Sequence, residues 1–141
     1  MRSALRTVAA VIVGFVAASI VMMIVEFLNG HVFYPGLGKA AEGVMDSEVL
    51  RGLLAHAPLG AMLVVIGGWT LGGLTGGWVA AKISHSSSMG PALAVGGLLT
   101  LAGIANNLMI PPPAWFWVAS LIVLMPAAYA GARLAASPAR A

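Results

Sequence analysis

The sequence predicts an all-α integral membrane protein, an antiparallel four-helix bundle with a short interfacial helix in its first outer loop. Three observations predict it. Of 141 residues, 60% are hydrophobic and 8% are charged, whereas soluble domains carry about 25% charged residues; so few charges cannot cover so short a chain in water. Four segments, residues 5–28, 58–81, 89–110 and 115–134, are apolar over the length a helix needs to cross a bilayer core. Basic residues fall unevenly among the turns between them. The whole chain, 1–141, reads as a single four-span domain.

The first span follows Arg2 and Arg6 and contains Glu26 as its one later charge. Its apolar run from Thr7 to Val25 is too long for a signal-peptide core. It continues into Glu26-Phe27-Leu28-Asn29 without a small-x-small cleavage site, so an uncleaved helix is expected. In the loop from Asn29 to Ala57, Asp46 can cap a short helix whose Val49, Leu50, Leu53, Leu54 and Ala57 share a face. That helix is expected at the interface or capping the bundle. Pro58 starts the second span, which has no charge, and the third span is also uncharged. Between the third and fourth spans, Pro111, Pro112 and Pro113 form a stiff hairpin. Pro126 removes the hydrogen bond to the Ile122 carbonyl and predicts a kink in the fourth span.

Arg2, Arg6, Lys82, Arg133 and Arg140 share one side of this topology, while Lys39 and Arg51 lie on the other with Glu42, Asp46 and Glu48. The positive-inside rule then puts both termini and the Ile83–Ser88 turn in the cytoplasm. Trp78 at the inner boundary, and Trp115 and Trp117 at the outer one, fit an aromatic belt. The formal charge of +3 comes from dispersed residues rather than a basic patch, so nucleic acid is not an expected partner. Membrane lipids are, with a homo-oligomer or larger membrane complex left open. The absence of Cys removes disulfides and thiolate metal sites.

In the second span Gly68, Gly72 and Gly76 recur every fourth residue, with Trp69, Gly73 and Gly77 as a second stripe beside them. Such a glycine zipper lets backbones approach closely in lipid, where dispersion replaces the hydrophobic drive. Its partner is another helix of this chain or a second subunit, the former being favoured. Trp69 falls near mid-membrane, where its indole N–H needs an acceptor; Ser19 and Thr100 lie at that depth.

Glu26 is the sole acid within a span, and such a group marks a functional-site hypothesis. Counting helix rise places it at the outer end of the first span, level with Asn106 and Asn107 and near His31 and His56. These five are the candidate binding residues. The favoured interpretation is an interhelical hydrogen bond from one asparagine to Glu26, with solvated histidines; a binding or proton-handling cluster is the other. Glu26, His31 and His56 are metal-ligand types without a ligand spacing, and neither metal nor cofactor is expected.

The chain resembles a family of small, uncharacterised bacterial four-span inner-membrane proteins with no known activity. The resemblance rests on Val25-Glu26, Tyr34-Pro35, Gly68-Trp69 through Gly76-Gly77-Trp78-Val79-Ala80-Ala81, Asn106 and the Ile110–Phe116 turn. It implies a bacterial inner-membrane location and brings no activity. Where that family often carries a histidine in the turn, this chain has Pro112, which removes support for a histidine site there. The expected role is that of a non-catalytic structural or accessory membrane protein. The alternatives are a small-solute or ion carrier using the outer polar cluster and an enzyme acting on a lipid-like substrate. No catalytic motif is visible.

Overall fold

The structure, a computed structural model, describes residues 1–85 and 89–136. Ser86–Ser88, half of the expected turn after the second span, and Arg140, one of the orienting basic residues, lie outside the described residues. Among the described residues every regular element is helical: α1 Arg2–Leu28, α2 Pro35–Ala41, α3 Ser47–Ala55, α4 Leu59–Ser84, α5 Met89–Met109, α6 Ala114–Ile122 and α7 Leu124–Ala136. Four helical stretches, Arg2–Phe33, Leu59–Ser84, Met89–Met109 and Ala114–Ala136, are long and apolar enough to cross a membrane.

α4 is the element around which the others gather, and its glycines explain how. The Gly68, Gly72 and Gly76 stripe lies against α1: a Cβ on Gly76 would stand 2.8 Å from the Gly14 carbonyl oxygen, and one on Gly72 would stand 2.9 Å from that of Ala18. α1 answers with small residues at the same four-residue spacing, and Ala10, Gly14 and Ala18 are its buried positions. The second stripe lies against α7 instead. A Cβ on Gly73 would meet the Ala127 methyl at 3.0 Å, and one on Gly77 would collide with the Ala128 carbonyl. Gly131 of α7 returns the contact against the Leu74 carbonyl. Both partners therefore lie within the chain. Pairings such as Gly14 with Gly76 and Val25 with Gly68 make α4 antiparallel to α1, whereas Gly73–Ala127 and Leu74–Gly131 make it run with α7.

Small residues at the contacts leave the large apolar side chains pointing outward. Leu5, Ile12, Val16, Ile20 and Met23 of α1 are all exposed, while most of the core is alanine, with Met62, Trp69, Val95, Leu99, Phe116 and Leu124 as its larger members. At one end of the molecule the Arg6 Nε–H donates to the Ile83 carbonyl at 2.8 Å, satisfying an orphan acceptor in the last turn of α4. Lys82 lies 5.8 Å from the Trp78 ring centre at the same end.

Three features of the long loop and the last span refine the sequence reading. The Asp46-capped helix is present as α3, with Asp46 Oδ1 accepting from Glu48 N at 2.8 Å and Val49 N at 3.4 Å. The first span does not end at Leu28, however. It continues as a π-helical turn, Asn29–Phe33, closed by a Tyr34 N–H to Asn29 carbonyl bond of 2.8 Å. α2, with Pro35 in its first turn, was not foreseen either; it crosses that turn so closely that Gly38 rests on the Gly30 carbonyl. In the last span the predicted break occurs at Val123, between α6 and α7, one turn before Pro126.

Candidate functional site

Extending α1 by the π-helical turn sets Glu26 back from the end of the helical span. Its Oε1 accepts the Trp69 indole N–H at 3.3 Å. Trp69 is the eleventh residue of α4 counted from Leu59, so the carboxylate stands about 15 Å along that helix from its start. This is close to the middle of α4 rather than at its end. Neither hydroxyl expected to accept from Trp69 does so; Ser19 Oγ donates to the Phe15 carbonyl and Thr100 Oγ1 to the Gly96 carbonyl, each within its own helix. Trp69 is also fixed edge-to-face against Phe116 of α6, with ring centres 6.2 Å apart.

The expected bond from an asparagine to Glu26 is not the one formed. Asn107 is fully buried and its Nδ2 donates to Ser120 Oγ at 3.3 Å, while that hydroxyl donates to the Trp117 carbonyl. Asn106, on the next position of α5, lies some 100° around the helix and lines the same cavities as Glu26. A residue outside the five candidates also enters. Asn29, three residues after Glu26 and nearly buried, donates from Nδ2 to the Ala61 carbonyl at 3.0 Å, tying the π-helical turn to α4. Its three-residue spacing from Glu26 was the available signal, because such neighbours share a helix face.

Two cavities meet at this point. One, of about 250 Å³, lies between α1, α4 and α5 and is lined by Phe15, Met22, Met23, Leu99 and Leu124 besides Glu26, Trp69 and Asn106. The other, of about 400 Å³, lies toward α3, whose Leu50, Leu53 and Leu54 cover it; Asn29, His31 and Asn107 join its wall. Glu26, Trp69 and Asn106 belong to both walls. Four of the five candidate residues are therefore brought together, and His56 is left out. His56 sits at the exposed end of α3 with Nδ1 against the Gly52 carbonyl at 2.9 Å, and it is not among the lining residues. His31 likewise has Nδ1 on a carbonyl of its own helix, that of Phe27 at 3.0 Å, and stacks on the Phe27 ring. Among the described residues no group of three His, Asp or Glu side chains could hold a metal ion.

The buried unmet polar atoms of the site are both amide oxygens. Asn29 Oδ1 and Asn107 Oδ1 are buried and have no hydrogen-bond partner among the described residues. Their amide orientations are fixed by chemistry: the Ala61 carbonyl can only accept, so Asn29 must offer its NH₂ there. The Ser120 hydroxyl has already given its proton to Trp117, so it accepts from Asn107. Both oxygens are therefore left over, and both asparagines line the larger cavity together with Glu26.

Comparison with models of known protein families, with curated proteins and with solved structures finds no match. The class the fold defines is an all-helical protein with four helices able by length and composition to cross a membrane.

Proposed function

We propose that this chain is a four-helix bundle of the bacterial inner membrane, with both termini cytoplasmic, and that it works as a non-catalytic accessory protein by holding a guest in a crevice that reaches from Glu26 along α1 to Phe15. The single observation behind the binding role is the meeting of two cavities at Glu26, Trp69 and Asn106. An ionisable group at mid-span depth is costly in lipid and marks function by default. Its partner is an indole N–H, which holds a carboxylate in place but takes no part in proton transfer, so the arrangement suits binding better than acid–base chemistry. Lipid surroundings are supported by the exposed leucine, isoleucine, valine and methionine side chains of α1.

The carrier reading is favoured by one feature only, the helix break at Val123 next to the cavity-lining Leu124. Against it, α1 and α4 touch backbone to backbone at Gly14 and Gly76, beside the inner end of the crevice at Phe15, with Val95 packed there.

Two measurements test the proposal. Reporter fusions following Ser84 and Ala136 are expected to signal cytoplasm, and one at Glu42 is expected to signal the opposite side. A reversed pattern at Ala136 would overturn the topology. Ala102 lies exposed on the crevice wall, so Ala102→Trp fills the cavity without entering a helix contact. Native mass spectrometry in mild detergent should find wild-type protein retaining a small guest that Ala102→Trp lacks. Indistinguishable spectra without any adduct would refute the binding role.

A further inference from the structure

We infer that the guest is a lipophilic organic cation, whose charged head sits at the Glu26 carboxylate and whose apolar part fills the cavity bounded by Phe15, Met22 and Leu99. The inference rests on the binding role proposed above and adds the chemistry of the ligand. Three independent features converge on it.

The first is charge. Among the residues lining the two joined cavities, Glu26 is the one acid and no Lys or Arg is present. The leftover amide oxygens of Asn29 and Asn107 add negative dipole ends beside the larger cavity, whose wall Glu26 shares. In surroundings of low dielectric these act over several ångströms, and they raise the affinity for a positive charge without touching it. An anion would face the opposite field. A neutral polar guest would gain little from it.

The second is the indole. Trp69 gives its N–H to Glu26, so the ring and the carboxylate are held side by side on the boundary of both cavities. The N–H lies in the ring plane, so the carboxylate stands at the edge of a buried, apolar ring that keeps water away on that side, which favours a poorly hydrated organic cation over a small metal ion. A metal ion would need several oxygen ligands, and Glu26 is the sole carboxylate here.

The third is shape. From Glu26 the smaller cavity runs along α1 to Phe15, eleven positions earlier, or about 16 Å. That is the reach of a chain of about a dozen carbons at ordinary bond lengths. Its walls are Met, Phe and Leu side chains, and methionine adapts to irregular apolar guests. Glu26 and Asn106 are both exposed, on α1 and α5 respectively. The crevice between these two helices is thus open to the side, where an amphiphile dissolved in the bilayer can enter directly.

The test uses full-length protein in phosphatidylcholine nanodiscs, with protein-free discs as background. Radiolabelled dodecyltrimethylammonium should bind saturably, and dodecanol, which has the same tail and no charge, should compete at least tenfold less well. Glu26→Gln should weaken binding of the ammonium by roughly tenfold or more, because a buried charge loses its counter-charge. The variant is expected to melt near wild type, since glutamine still accepts from the Trp69 N–H. If Glu26→Gln does not fold, the competition on wild-type protein decides the matter alone. Equal competition by dodecanol, or unchanged affinity in a folded Glu26→Gln, overturns the cation assignment. If Ala102→Trp still abolishes binding in that case, the crevice stands as a binding site for a neutral amphiphile. If neither compound binds wild type saturably, both the cation assignment and the binding role fall.

Discussion

Replacing Gly77 with leucine is expected to prevent stable docking of α7 on α4, lowering the detergent melting temperature by about 10 °C or more, or abolishing accumulation of the protein. A Cβ at this position meets the Ala128 carbonyl, α-carbon and carbonyl carbon together. None of these is a flexible side-chain end that could move aside. Relief requires the two helices to separate, which exposes Gly73 and Gly131 along the same contact. Gly67→Leu, on the same helix, is the control. A Cβ on Gly67 meets nothing within 4 Å, so its melting temperature should stay within a few degrees of wild type. Equal melting of Gly77→Leu and Gly67→Leu would show that the α4–α7 contact does not hold the fold together.

The comparison also bears on how α4 holds two partners. In lipid the tails are as apolar as any side chain, so helices gain by close approach more than by burying leucine. A helix with one glycine stripe can dock one partner this closely. α4 has two stripes, offset by one residue and so by about 100°, and each is matched by alanine and glycine on a different helix. Gly14 and Ala18 answer the first stripe, and Ala127, Ala128 and Gly131 the second. Rigid contacts of this kind also fix Trp69, which heads the second stripe and carries the hydrogen bond to Glu26.

The four long helices were legible in the sequence because hydropathy over some twenty residues is a strong signal. The α3 cap was legible because Asp46 precedes a helical apolar face. The partners of the glycine stripes were not, although α1 displayed a hint in Ala10, Gly14 and Ala18 at the same spacing. The π-helical turn was hidden for a different reason. Asn29-Gly30-His31 has the composition of a loop, and what keeps it helical is tertiary: the Asn29 amide on the Ala61 carbonyl and the close crossing of Gly38 over Gly30. Depth counting did not mislead, since Asn106 shares both cavity walls with Glu26; the partner differs because Asn107 turns to Ser120 and the Trp69 indole reaches the carboxylate instead. The gathering of Glu26, His31, Asn106 and Asn107 was visible from sequence, but the indole at its centre was not.

That indole supplies the second large effect. Trp69→Ala is expected to destabilise the protein by about 3–5 kcal/mol, the range for deleting a buried aromatic side chain. Trp69 is 6% exposed and stands in the walls of both cavities, so its removal merges them into one larger void. The surrounding helices cannot collapse into that void, because Gly68, Gly72 and Gly73 already hold α4 against its neighbours at minimum distance. Trp69→Phe separates packing from hydrogen bonding. It keeps most of the ring against Phe116 and deletes only the N–H given to Glu26, which should cost about 1 kcal/mol, the scale of interhelical hydrogen bonds in membranes. In the Glu26→Gln background the same Trp69→Phe change should cost less, since the bond it removes is then between neutral groups and weaker. Melting curves of the four proteins, wild type, both single variants and the double variant, give the coupling directly. If Trp69→Phe proves as damaging as Trp69→Ala, the N–H and not the packed ring dominates at this position. The account of Trp69 as a core residue that also anchors the carboxylate would then be wrong.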